Sequence, residues 1–214
     1  MLVTQQPVFR KFWHAVMPLS ELASGPKPFT LLGESIVLFL DAQGEPAALR
    51  DRCCHRTAKL SRGWCVDAQG QACERGHIQC GYHGWTYDRG GKVIRIPQYE
   101  ESRAVPPDYK TQAYHCTARY GYAWVALDEP IADIPDIPEF SNPAWRTIFQ
   151  FYETWATSPM RALENSFDNS HFSFVHRATF GVPDAPQPSK YELIENDTGF
   201  YAETVIAAAN PEKF

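Results

Sequence analysis

Two short stretches of the chain bring together the residue types from which metal sites are built. Residues 53–64 read CCHRTAKLSRGW, and residues 80–88 read CGYHGWTYD. Each stretch offers one cysteine and one histidine close together, Cys53 with His55 and Cys80 with His83. Two loops therefore supply two thiolates and two neutral imidazoles. Such a set suits a structural zinc ion, or a [2Fe–2S] centre in which imidazoles replace two of four thiolates. The exchange of anionic for neutral ligands raises the reduction potential to roughly −150 to +300 mV, within reach of flavin or ferredoxin donors. Spacing separates the two cases. A zinc finger takes both cysteines from one segment and both histidines from another. Here each loop contributes one of each, so each loop can serve both irons of a binuclear cluster. Gly81 and Gly84 flank the second pair, where bare backbone bends freely and approaches sulfur as a hydrogen-bond donor.

A second set of polar residues lies in ENSFDNSHFSFVH, residues 164–176. Asp168 and His171 are spaced i, i+3 and share a face of a regular helix, whereas His176, five residues on, lies about 140° away. The helix must end, bulge or turn after His171 if both imidazoles are to meet one ion. A mononuclear Fe(II) oxygenase site takes two histidines and one carboxylate and leaves positions open for dioxygen. Taken alone, two histidines near a helix end are more often a satisfied hydrogen-bonding pair.

Both sets resemble one family. C-x-H-R…L-S-x-G and C-x-Y-H-G-W-x-Y-D are similar to the Rieske iron–sulfur motif of ring-hydroxylating oxygenases. N-x-x-D-x-x-H-x4-H at 165–176 resembles the mononuclear-iron motif of their alpha, or terminal oxygenase, subunit, in the spacing of the O- and N-demethylase branch. The resemblance implies a [2Fe–2S] cluster on Cys53, His55, Cys80 and His83, and Fe(II) on His171 and His176. It implies that Asp168 bridges His171 to His83 of the partner subunit in a ring-shaped homotrimer, and that Asn165 lines the iron or caps a turn. It further implies electrons from NAD(P)H through a separate reductase or ferredoxin, with dioxygen and a small organic, aromatic substrate as reactants. A Rieske electron carrier without oxygenase activity is the alternative. The substrate, and the choice between monooxygenase and dioxygenase chemistry, stay open. The family's third iron ligand, an aspartate, is expected beyond residue 214, so the chain reads as an N-terminal portion. Two features depart from the pattern: Cys54 stands where proline is usual, and the interval between the motifs is lengthened through WCVDAQGQACERG. Cys73 and His77, within that extension, are set aside as ligands because the Gly-Trp context belongs to Cys80 and His83. Cys54 and Cys65 read as spare thiols, and Cys116, in an apolar strand, as core.

The elements that must position these residues are mostly strands. FTLLG, SIVLFLD, EPAALRD, HIQC, WTYD and KVIRIP are short runs punctuated by glycine turns, the pattern of an all-β sandwich or small barrel. AYHCTARYGYAWVALD, 113–128, reads as a closing hairpin, and 9–22 as a short helical or extended entry. Residues 130–143, rich in proline and acid, form a connector. TIFQFYETWAT, 147–157, alternates as a strand. Ser158-Pro159 starts a helix, and KYELIEN-DTG-FYAETVI reads as a hairpin. The expected fold is mainly β and then α+β. It comprises an N-terminal segment (1–28), a Rieske β-sandwich domain (29–129), a linker (130–145) and the start of a helix-grip type catalytic domain (146–214). The acidic residues after His176, from Asp184 to Glu212, fall on exposed hairpin positions, so none is assigned to iron.

Composition narrows the classes. Hydrophobic residues make up 44% and charged residues 21%, as in a packed globular protein. The net charge of −5 carries no Lys/Arg cluster, which argues against nucleic acid. No apolar run is long enough to span a membrane, and the N-terminus does not read as a secretory signal. The expected location is the cytoplasm, where cysteines clustered with histidines more often hold metal than form disulfides.

Overall fold

The computed structural model describes residues 5–100, 102–149, 152–197 and 199–209. Contacts divide the chain into two units, Met1–Tyr152 and Glu153–Phe214. The first unit opens with a 3-10 turn, Pro7–Lys11, then strand β1 (His14–Pro18) and a one-turn helix α1 (Leu19–Leu22). Strands β2 (Lys27–Leu31), β3 (Glu34–Leu40) and β4 (Pro46–Arg50) follow. Four short strands come next, β5 (Trp64–Val66), β6 (His77–Gln79), β7 (Thr86–Tyr87) and β8 (Val93–Arg95). The hairpin β9 (Ala113–Arg119) and β10 (Tyr122–Ala126) closes the unit. Two antiparallel sheets result, a six-stranded one in the order β1-β10-β9-β4-β3-β2 and a four-stranded one in the order β5-β6-β7-β8. Part of the expected N-terminal segment thus lies in the large sheet, with His14 of β1 opposite Val125 of β10.

The run IVLFL, 36–40, is apolar throughout because the middle of β3 is buried on both faces. Val37 and Phe39, with Ala47 and Leu49 of β4, pack against Ile78, Trp85, Tyr87 and the cysteines of the small sheet. Ile36, Leu38 and Ala48 point the other way, onto Val16, Met17, Leu22, Ala123 and Val125. One layer of strands therefore separates two apolar clusters, and the chemistry-bearing cysteines sit in one of them. The proline-rich connector is tied down: Arg119 donates to Ile134 O and Asp136 Oδ1, and the Tyr120 hydroxyl donates to Pro135 O.

In the second unit, helix α2 (Pro159–Phe167) starts where Ser158 accepts the Arg161 N–H at 3.3 Å with proline at its first position. A 3-10 turn, Asn169–His171, leads into α3 (Phe172–Val175), and the hairpin β11 (Lys190–Asn196) with β12 (Gly199–Val205) follows. TIFQFYETWAT forms no strand among its described residues: no sheet ladder includes 147–149 or 152–157. Its alternation lacks the neighbouring strand that turns a pattern into a ladder. Gln150 and Phe151 lie outside the described residues.

One buried acid braces the first metal loop. Asp51, 5% exposed, accepts the Ser61 N–H and the Ser61 hydroxyl, both at 2.7 Å, and so spans the loop that carries Cys53 and His55. Asp51→Ala leaves an enclosed N–H without its acceptor and is expected to cost about 3 kcal/mol of stability. Urea denaturation checks this; a loss under about 0.5 kcal/mol would show that the bridge is dispensable.

Candidate metal centres

The two ligand loops share one backbone design. Cys53 N–H donates to Ala58 O and Cys53 O accepts from Thr57 N–H; Cys80 N–H donates to Trp85 O and Cys80 O accepts from Gly84 N–H, all at 2.8–3.0 Å. The residue four after each cysteine takes a left-handed conformation, Thr57 at φ 57° and Gly84 at φ 77°. Glycine meets that demand freely, while a β-branched threonine is held there against its preference. In each loop the N–H groups two and three residues on turn back onto the sulfur: His55 and Arg56 onto Cys53, Tyr82 and His83 onto Cys80. Gly81 has a steric reason too, since a Cβ there would stand 2.9 Å from Arg62 O.

Both sulfurs are buried and lie within hydrogen-bonding reach of each other. The bond from Cys80 draws Cys53 well below an ordinary thiol, against its burial, with help from Tyr87 and the two backbone N–H groups. The same bond, and then burial, push Cys80 up. The imidazoles form a separate pair nearer the surface, with ring centroids 4.8 Å apart. His55 is exposed and His83 half-buried. Trp85 stacks on His55 at 4.5 Å and 3°, and Tyr109 stacks on Trp85 at 5.2 Å. Among the described residues no three of His, Cys, Asp and Glu converge on a single point. The donors sort into a sulfur pair and an imidazole pair, which fits two irons and not one zinc ion.

Tyr87 was not singled out from the sequence. Its fully buried hydroxyl lies 3.0 Å from Cys53 Sγ, accepts the Cys54 N–H at 3.1 Å and lies 3.3 Å from Cys54 Sγ. Burial holds it well above the usual phenol range, so it stays a proton donor. Its signal was present as the second aromatic of W-x-Y-D. The residues set aside from this site are engaged elsewhere: Cys73 Sγ donates to Arg75 O at 2.8 Å, and His77 lies opposite Val66.

The second set behaves differently from the helical expectation. α2 ends at Phe167, so the break falls before His171 and not after it, and Asp168 and His171 share no helix face. Asp168 takes an extended conformation at φ −93°, ψ 96° and its Oδ1 accepts the Ser170 N–H at 2.9 Å. That side-chain bond offers the backbone an alternative to continuing the helix. His171 and His176 then cap the two ends of α3, and their rings come to 5.3 Å. Phe172 sets its ring edge-on to both, and Phe180 stacks on His176 at 4.8 Å. The His171 Nδ1 is enclosed and has no hydrogen-bond partner among the described residues. An unpaired buried nitrogen costs about 1–3 kcal/mol unless something binds it, and a metal ion is a fitting partner. Asp168 is exposed and makes no hydrogen bond to His171 among the described residues. Asn165 is likewise exposed, near the end of α2, and its side chain makes no hydrogen bond among the described residues. Phe167 and Phe174, in the same stretch, are 60% and 58% exposed.

Residues 12–114 match the Rieske [2Fe-2S] domain family, and residues 155–214 match the vanillate O-demethylase oxygenase C-terminal domain family. The chain is 35% identical over 190 residues to methylxanthine N3-demethylase NdmB of Pseudomonas putida, a match covering 85% of this chain and 52% of that protein. It is 30% identical over 206 residues to the oxygenase component of dicamba O-demethylase of Stenotrophomonas maltophilia, covering 94% of this chain and 57% of that one. The solved structure of Pseudomonas putida NdmA superposes with a TM-score of 0.77 at 30% identity, over 96% of this chain and 62% of that chain. The chain spans about half the length of the curated relatives it matches.

The Tyr87 geometry generates a test. A hydroxyl donating to a cluster sulfur stabilises the more negative, reduced state. Tyr87→Phe in cluster-loaded protein is therefore expected to lower the reduction potential by roughly 40 mV, the equivalent of about 1 kcal/mol for one electron. Redox titration followed by electron paramagnetic resonance measures it; an unchanged potential would place the hydroxyl proton on Cys54.

Proposed function

Because the chain belongs to the family of Rieske non-haem iron oxygenase alpha subunits, we propose that it forms part of a terminal oxygenase that hydroxylates or demethylates a small aromatic substrate. In this reading Cys53, His55, Cys80 and His83 hold a [2Fe–2S] cluster, and His171 and His176 hold a mononuclear Fe(II). When bound, the cluster supplies one-electron transfer and the Fe(II) supplies dioxygen activation. The observation that carries the reading is the sorting of the four donors into a buried sulfur pair and a surface imidazole pair.

The chain's own residues have definable tasks. The thiols of Cys53 and Cys80 give up their protons on metal binding, and the N–H groups of His55, Arg56, Tyr82 and His83 receive the resulting negative charge. Trp85, stacked on His55, and Tyr109, stacked on Trp85, pack with the apolar cluster that encloses the sulfur pair. The exposed His55 edge is the surface offered to an electron-donating reductase or ferredoxin, which draws on NAD(P)H. Phe172 and Phe180 orient the two iron-binding imidazoles.

Asp168 is the bridging acid. In the assembled homotrimer its carboxylate, unbonded to His171 in the single chain, would accept a ring N–H from His171 and one from His83 of the partner subunit, which would hold each ring in one tautomer and make it a better donor. Its exposed position at the break between α2 and the next turn leaves it reachable from another chain. Asn165 contributes an amide to the same stretch. The names of the relatives, demethylases of methylxanthines and of dicamba, support an N- or O-methyl group on an aromatic ring as the substrate class.

Metal analysis of anaerobically purified protein tests this. About two irons and two sulfides per chain, with a Rieske-type signal after dithionite, are expected for the cluster, together with further iron that His176→Ala removes while the signal persists. Zinc without sulfide would overturn the assignment. In the complete system, Asp168→Asn is expected to slow reductant-dependent oxygen consumption by about 10–100-fold with both metal contents unchanged. Undiminished turnover would remove Asp168 from the bridge.

A further inference from the structure

The extension between the two ligand motifs, WCVDAQGQACERG, folds into a hairpin that brings two cysteines into register. Val66 and Ala72 are bridge partners, Asp67 N–H donates to Gln71 O at 2.9 Å, and Cys73 N–H donates to Cys65 O at 3.0 Å. The turn is closed by Asp67, whose Oδ1 accepts the N–H groups of Gln69 and Gln71, and by Gly70 at φ 83°. In this register Cys65 and Cys73 lie directly opposite.

Opposed residues of an antiparallel pair project from the same face, with Cα atoms about 4.5–5.5 Å apart. That spacing falls inside the roughly 4.4–6.8 Å that a disulfide spans. The packing agrees with the register: Cys65 is buried in the apolar cluster shared with Cys53 and Cys80, and Cys73 packs against the same cluster from its rim. Burial, and to a lesser degree the neighbouring Cys73, pushes the Cys65 thiol up to about 11, so Cys65 is the partner that closes the bond and not the first to be oxidised. Cys73 is half-buried, and its thiol donates to Arg75 O, so a small oxidant reaches it first.

We propose that Cys65 and Cys73 form a peroxide-responsive dithiol that closes to a disulfide within the folded domain. Peroxide oxidises the Cys73 thiol to a sulfenic acid with release of one water. The Cys65 sulfur then attacks the Cys73 sulfur, an S–S bond forms, the S–O bond breaks and a second water leaves. Two thiols lose two electrons and two protons, and one peroxide is reduced to two waters. The bond would pin β5 in its hairpin against β6, where Cys65 lies opposite Ile78, two residues before the ligand Cys80. The pairing rests on hairpin register alone and holds whether or not the chain serves an oxygenase.

Both cysteines fall in one stretch between Arg62 and Arg75, so a single tryptic peptide, 63–75, reports on them and contains no other cysteine. The cluster-loaded protein is treated with hydrogen peroxide, alkylated, digested and weighed, with the visible absorbance followed in the same sample. The expected result is loss of both alkylations and of two hydrogens from peptide 63–75 while the cluster colour is retained, reversed by dithiothreitol. In Cys73→Ser, Cys65 is expected to remain fully alkylatable. A peptide that stays doubly alkylated, a Cys65 joined to Cys54 instead, or closure only after the colour is lost would each overturn the proposal. The wild-type measurement decides even if the variant fails to fold.

Discussion

Two cysteine sulfurs enclosed in an apolar cluster and bonded to each other set the constraint that the rest of the first unit serves. Negative charge in such a place is costly unless hydrogen bonds receive it, and each loop answers with two backbone N–H groups turned onto its own sulfur. That answer requires the tight turn ending in a left-handed residue, which accounts for Gly84 and makes Thr57 an exception. It also requires the loops to meet. The β5-β6-β7-β8 sheet, braced by Asp51 on one side and by Tyr87 beneath, holds them together.

The depth of the two donor pairs follows from the same arrangement. Sulfur is content in an apolar cluster, while imidazole retains a polar edge, so the cysteines face inward and the histidines outward. Trp85 joins the two layers, with its ring flat against His55 and its edge in the core. The second unit solves a smaller problem by a different device. A side-chain cap at Asp168 ends one helix and opens a tight turn, and the two histidines arrive at opposite ends of a single turn of helix with their rings together.

Much of this was legible. The donor types, their division between two loops, the strand-rich first unit, the tail hairpin and the helix start at Ser158-Pro159 all follow from local chemistry and periodicity. The reading of residues 164–176 as one helical face failed because helical spacing presumes a continuous helix, and Asp168 competes for the backbone with its own carboxylate. TIFQFYETWAT misled for the complementary reason: alternation describes a strand only when another strand lies beside it. Tyr87 and Asp51 were missed because their roles depend on partners 34 and 10 residues away.

By itself the sequence determined which atoms are available for metal, that each loop brings one sulfur and one imidazole, and which glycines the turns need, because these depend on residue type and on neighbours a few positions away. Only the tertiary structure decided that the sulfurs pair with each other and the imidazoles with each other, that a tyrosine hydroxyl lies against Cys53, and that Cys65 stands in register with Cys73. Those are contacts between segments brought together by strand pairing and burial, and sheet register and packing are properties of the folded chain rather than of any stretch within it.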